Sequence, residues 1–214
     1  VAIVVRNARL FSEVRSLFLN LVKSLISIVE AKHKYTRGHS ERVNKISCFL
    51  GKPLGLGRHA REVLHWASLF HDVGKISVPD AILNKPGKLT EEEFDAIKQH
   101  PVVGYNVLSH IEQLREALPG IRHHHEKLDG SGYPDGLKGD EIPLMAKIIA
   151  VADVYDALTS SRSYRPAMSI SKALAIMHDG EGKHFDPRVL KMFAQKHGGI
   201  MRKLDSSSGA AVAV

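Results

Sequence analysis

An all-α fold is what this sequence predicts, and three observations predict it. From Tyr35 onward, segment after segment repeats its apolar residues at the period of a helix. No segment alternates apolar and polar residues between hairpin turns, the mark of a half-buried strand. Helix starts also carry their capping chemistry. Thr90 with Glu93 makes a capping box, Pro143 suits a first helical turn, and Asp186 followed by Pro187 reads as a cap with proline at the first helical position.

Residues 1–9 read as the end of a strand and a turn, a remnant of an upstream domain. Residues 10–34 form a linker or signalling helix. Within it Leu10, Val14, Leu17, Leu21 and Ile28 follow heptad-like spacing, while Phe11, Phe18 and Leu25 repeat every seven residues. Arg15, Lys23 and Glu30 argue against a membrane helix. Two readings stand side by side. Either this helix packs on its own domain, or residues 10–32 pair with a second copy and relay a signal from a missing sensor domain. Residues 35–198 form the main domain, with helices expected near 38–54, 58–72, 91–98, 100–109, 111–126, 143–160, 170–178 and 186–197. Residues 199–214 read as a flexible tail, low in complexity from Ser206.

The 214 residues suffice for one substantial domain with a well-buried core. A hydrophobic share of 43% and a charged share of 25% are ordinary for a globular protein. Thirteen histidines are not. The net charge of +7 suits an anionic partner, or simply a solvated basic surface. Scattered Lys and Arg with 6% aromatic residues argue against a nucleic-acid-binding module. Cys48 lies in an apolar helical pattern and reads as a buried structural thiol. A single cysteine fits a reducing, cytoplasmic setting. No signal peptide is evident, and no apolar run nears the roughly 20 residues of a membrane span. An opening without methionine suggests a fragment of a longer protein.

The chemistry concentrates in a few blocks. IRHHHEKLDGSGYPDGLKGD, residues 121–140, holds three consecutive histidines, an acid and a glycine-rich turn around Tyr133 and Pro134. LFHDVGK delivers His71 and Asp72 at the end of an apolar helix, with Lys75 just beyond. Imidazole and carboxylate together suit Mn, Fe or Zn, and burying such a group without a cation is costly. Asp72 could bridge two ions through its two oxygens. IIAVADVYDALTS ends an apolar run on Asp153, a candidate ligand, with Asp156 three residues on along the same face, placed to support a ligand or to meet substrate. These residues point to a multi-metal site beside a pocket shaped by the Gly-Tyr-Pro turn.

Five blocks in one order carry a resemblance: YTRGHS, HDVGK, KQHP, HHEKLDGSGYPDGLKGDEIP and ADVYDALTSSRSYRP. Across residues 35–196 the chain resembles the HD-GYP family, the bacterial branch of HD-domain phosphohydrolases that degrades cyclic di-GMP. The resemblance implies an HD-domain helical bundle with a binuclear centre, iron or manganese foremost, with zinc, nickel or cobalt also accepted. It implies that His39, His71, Asp72 and Asp153 surround one ion, and that Asp72 bridges to a second held by His100, His124 and His125. Lys75 would contact the scissile phosphate, Tyr133 would pack near the substrate, and Arg162 and Arg165 would bind phosphate. Asp156 would serve near the metals as a proton relay. Glu126 reads as a residue that orients a histidine. Tyr35 stands where members with a third metal carry glutamate, so two ions are expected. The implied reaction is hydrolysis of cyclic di-GMP to pGpG, GMP or both. A phosphohydrolase for another nucleotide and a catalytically silent cyclic di-GMP receptor are the competing readings. The other histidines, His33, His59, His65, His110, His123, His178, His184 and His197, are expected to be solvated or locally bonded.

Overall fold

A computed structural model describes residues 2–32, 38–161 and 166–208. It consists of α1 (Ala2–Lys32), α2 (His39–Gly51), α3 (Arg58–Phe70), α4 (Asp80–Leu83), α5 (Glu91–Lys98), α6 (His100–Leu108), α7 (Leu118–Arg122), α8 (Leu144–Thr159), α9 (Ile170–Asp179) and α10 (Pro187–Ser208). Short 3₁₀ turns lie at Val73–Ser77, Glu112–Ala117 and Gly139–Glu141. No strand occurs among the described residues, which hold only two isolated bridges, Asp129 with Lys138 and Glu181 with Phe185. The all-α expectation is met. No helix among these residues is long and apolar enough to cross a membrane.

The core forms where α2, α3, α7, α8 and α10 meet, around Ile46, Leu50, Leu64, Phe70, Ile121, Ile148, Ile149 and Phe193. Each such side chain contributes about 1.5–3 kcal/mol by leaving water. The site depends on this core because His39, His71 and Asp153 sit on or just beyond helices whose apolar faces it clamps. Gly74 draws another element in. A Cβ there would fall 1.9 Å from the His100 carbonyl oxygen, so only glycine lets the turn after Asp72 lie flat on α6.

Four expectations need correction. Residues 1–9 are not a strand and a turn, because α1 is helical from Ala2. A short apolar run does not distinguish strand from helix by pattern, and a helix already formed extends at one hydrogen bond per residue. The helix expected over 111–126 is instead a 3₁₀ turn followed by the short α7, since Pro119 has no N–H to give and serves better at a helix start. Pro143 precedes α8 with extended backbone rather than opening its first turn. Residue 199 is no boundary. There α10 continues to Ser208, with Ile200 buried.

The helix 10–32 packs on its own domain through one face and leaves another bare. Val22, Ile26 and Val29 are buried in the core cluster or beside it. The heptad-like residues face away. Leu10, Val14, Leu17, Leu21 and Ile28 all remain about half exposed or more. The side chain of Phe18 lies outside the described residues.

Candidate metal centre

Four segments distant in sequence bring their ligands together. His39 opens α2, His71 and Asp72 follow α3, His100 opens α6, and His124 and His125 follow α7. Two groups result, His39, His71 and Asp72 in one, and Asp72, His100, His124 and His125 in the other. Within each, the potential ligand atoms lie within 4.8 Å of one another. Asp72 belongs to both. Asp153 joins the first group, its Oδ1 3.3 Å from His39 Nε2.

The ring orientations follow from the other nitrogen. His71 Nδ1–H donates to the Ser68 carbonyl at 2.8 Å, His100 Nδ1–H to Ile97 at 2.7 Å, and His124 Nδ1–H to Ile121 at 2.6 Å. In each case the acceptor lies three residues back, in the turn just before. Because a carbonyl can only accept, the proton must sit on Nδ1, and the Nε2 lone pair points inward. His39 differs. Its Nδ1 is held at 2.7 Å by Asp156 Oδ2, 117 positions away, and Asp156 is itself held by Arg42 Nε at 2.6 Å.

This donor set fits divalent metal on the structure's own terms. His100 Nε2 and His124 Nε2 lie 3.3 Å apart, two lone pairs facing each other with no proton available between them. His71 Nε2 and Asp72 Oδ1 are buried without a hydrogen bond, a cost that a coordinated cation removes. Burial by itself would raise the Asp72 carboxyl, yet Lys75 and His71 hold it well below the usual carboxylate range. Asp153 is held low in the same way by His39, against its burial. Burial first, and then neighbouring imidazoles, lower His124 and His125, the latter to about 3. Both are therefore neutral ligands at any ordinary pH. At His39 burial acts downward too, but hydrogen bonds to Asp153, Asp156 and Asp72 outweigh it and raise the imidazole.

The remaining site residues fall into place unevenly. Lys75 Nζ sits 2.6 Å from Asp72 Oδ2, at the rim of the first group. The Tyr133 ring stacks on His125 at a centroid distance of 4.8 Å, and burial raises its hydroxyl well above the ordinary value. Asp156 stands behind His39, with both oxygens engaged by His39 and Arg42. Of its expected roles this is the support of a ligand, not a relay beside the metals. Arg162, Arg165 and Tyr35 lie outside the described residues, as does His33. His123 turns away from the ligands and pairs with Asp135 at 2.9 Å. His59, His65, His178 and His197 bond to Glu116, Asn44, Glu181 and Tyr155. Cys48 is only half-buried, near Asn44 and His65, rather than sealed in the core.

Glu126 overturns its expected role. Its buried carboxylate orients no histidine but accepts the backbone N–H groups of Asp135, Gly136 and Leu137, at 2.7, 3.0 and 3.1 Å. It is the post around which the Gly-Tyr-Pro loop is wound. Gly132 completes the turn, because a Cβ there would lie 2.4 Å from Glu126 Cα. Two residues escaped the sequence entirely. Nothing in local pattern marks Arg42 as the partner of Asp156. Nor does it mark Glu30 as the cap of α2, accepting N–H groups from Gly38 and Ser40.

Comparison with known proteins agrees with this geometry. The HD domain family matches residues 23–189. The chain is 43% identical over 169 residues to the cyclic di-GMP phosphodiesterase response regulator RpfG of Xanthomonas campestris, covering 78% of this chain and 44% of that protein. It is 44% identical over 167 residues to the 3'3'-cGAMP-specific phosphodiesterase 3 of Vibrio cholerae, covering 78% of this chain and 36% of the relative. The chain thus spans less than half the length of both. A crystal structure of a cyclic GMP-AMP-specific phosphodiesterase from V. cholerae shares the fold, with a TM-score of 0.61 at 20% identity over 82% of this chain and 48% of that one. With the family match running through every ligand-bearing segment, the chain belongs to the HD-domain family, in the HD-GYP branch that its motifs resemble.

Proposed function

We propose that this chain is the cytoplasmic output domain of a bacterial signalling protein, a metal-dependent phosphodiesterase that hydrolyses cyclic di-GMP to pGpG, GMP or both. One observation carries the reading: two ligand groups, inward-facing and short of protons, share the carboxylate of Asp72. The names borne by the relatives in Xanthomonas and Vibrio support the substrate class.

His39, His71, Asp72 and Asp153 would hold one divalent ion, and Asp72, His100, His124 and His125 a second. Iron or manganese suits the set best, though zinc, nickel and cobalt meet the same donors. A bound pair supplies a nucleophilic water near neutral pH and offsets charge on the phosphate. The rest falls to the chain. Asp72 presents one oxygen to each group and so sets their separation. The carbonyls of Ser68, Ile97 and Ile121 keep three imidazoles in the ligating tautomer. Lys75, a point charge on a flexible stem, binds a non-bridging phosphate oxygen. Tyr133 stays protonated at neutral pH, so its hydroxyl can donate to substrate while its ring walls the pocket beside His125. The leaving ribose oxygen takes its proton from Lys75 or from water. Asp156 acts on His39 rather than on substrate. Arg162 and Arg165 complete the phosphate contacts.

A 3'3'-cGAMP activity is the second reading, favoured by the 44% identity to the Vibrio relative of that name. Turnover of both cyclic dinucleotides by metal-loaded protein separates the two. Loss of hydrolysis in Asp72→Ala supports the enzyme reading, and unchanged hydrolysis would refute it in favour of a receptor. The exposed seam of α1, Leu10 to Ile28, is the face for a second copy, aligned by an upstream sensor domain. Leu17→Glu with Leu21→Glu should leave a monomer on a sizing column.

A further inference from the structure

We propose that Glu30 is a positioning residue that lets α1 control the first ligand group, and with Lys32 forms a clasp on it. The inference rests on the metal-centre reading. α2 begins at His39, yet its own N-cap, Gly38, has no side chain with which to cap it. A helix start leaves backbone N–H groups without partners and carries a partial positive charge. Glu30 supplies what is missing, from another helix. Its Oε2 accepts Gly38 N–H at 2.7 Å and its Oε1 accepts Ser40 N–H at 2.9 Å, bracketing the ligand residue on both sides.

Lys32, half a turn further along α1, fastens the other half of the same group. Its Nζ donates to the carbonyls of Ile76 and Val78 at 2.7 and 3.1 Å, at the end of the 3₁₀ turn that follows Asp72 and carries Lys75. Asn84 returns a bond to the Lys32 carbonyl at 2.8 Å. Glu30, His39, Asp72 and Lys75 also share the walls of one small cavity of about 10 Å³. One turn of α1 thus touches both segments that present His39, His71 and Asp72. His100 and His124 are locked from within their own segments, by Ile97 and Ile121. Any displacement of α1 is felt first on the His39 side.

The test is a Mn²⁺ binding isotherm on the full 214-residue chain, read per site. Wild type should bind two ions. Glu30→Ala should weaken one of them by ~10–100-fold, the usual cost of losing a residue that orients a metal ligand, with the other within about twofold. Glu30→Gln keeps one acceptor oxygen and should fall between, and it carries the comparison if the alanine variant does not fold. In a His125→Ala background, which cripples the second group, the loss should appear on the ion that remains. Wild-type affinities at both sites in the Glu30 variants would overturn the clasp, as would equal weakening of both. Failure of wild type to bind any ion would overturn the metal centre itself, and the clasp with it.

Discussion

The two ligand groups share a carboxylate but differ in how their first histidines, His39 and His100, are held. The His100, His124 and His125 group is rich in imidazole and largely local. Two of its rings are oriented by carbonyls three residues back, and all three come from segments that open or follow a short helix. The His39 group is richer in acid and mixed in its supports: His71 is oriented by the Ser68 carbonyl three residues back, but the other histidine is held from elsewhere in the fold. Its first histidine is oriented by Asp156, which Arg42 holds, while Glu30 caps the helix that begins with it. Electrostatics single out His39, since burial lowers His71 as it lowers the rings of the second group. Burial keeps His124 and His125 neutral, whereas three carboxylates pull a proton onto His39 when no metal competes for it. A locally locked group is robust and always ready to ligate. A group held by remote partners can be tuned by whatever moves them.

The contrast can be broken most severely at the residue both groups use. Asp72→Ala should abolish binding at both sites and lower turnover by roughly three orders of magnitude, the scale of the several kcal/mol a metal pair supplies. Stoichiometry by elemental analysis and initial rates measure it. Next, Asp156→Asn removes the charge behind His39. It should weaken the first site by ~10–100-fold and spare the second, which a two-site isotherm would resolve.

Acidity sharpens the comparison without touching a ligand. In chelator, His124 and His125 bind protons less readily folded than unfolded, so the unfolded chain takes up more protons below the ordinary histidine pKa. Their contribution to stability is intact above about pH 6.5 and is lost as the pH falls below it, for His125 down to about 3. His39 has the opposite sign. Its raised pKa stabilises the metal-free protein below about pH 6.5, and that contribution disappears as pH rises through the folded value. Thermal melts between about pH 4 and 9 should therefore show a shallower acid-side fall in His125→Ala and a shallower alkaline-side fall in His39→Asn.

Two smaller effects bound the site. Glu126→Ala strips three backbone N–H groups of their charged acceptor and should cost about 2–4 kcal/mol of stability. It should also raise KM more than it lowers kcat, because the Tyr133 wall is loosened rather than the ligands. His123→Ala should leave two ions bound with unchanged affinity. Loss of an ion there would mean that the ligating pair is His123 and His124, against the pairing of His123 with Asp135.

Much of this was legible in the sequence wherever function rests on short, local runs. HDVGK, the paired His124 and His125, and Asp153 at the end of an apolar run within α8 mark candidate ligands because few other needs place those side chains there. The capping box at Thr90 was readable for the same reason, and both its bonds are made. Legibility failed where a residue acts on an element other than its own. Arg42 and Glu30 look like ordinary surface charges on helices. Glu126 sits so close to the histidines that proximity in sequence suggested the wrong partner. The short α7 misled differently, since apolar spacing over 111–126 continues while Pro119 ends the hydrogen-bond ladder.

The amino-acid order alone determined the helical class and the family, and it marked the side chains that the fold gathers into two candidate ligand groups, because each depends on spacing within a turn or two. Folding decided the rest. It chose which acid stands behind His39, which one braces the Gly-Tyr-Pro loop, and which face of α1 is left bare. Those choices depend on how segments come together in space, Asp156 with His39 across 117 positions and Glu126 with a loop that folds back onto it, and packing around a shared core is what sets them.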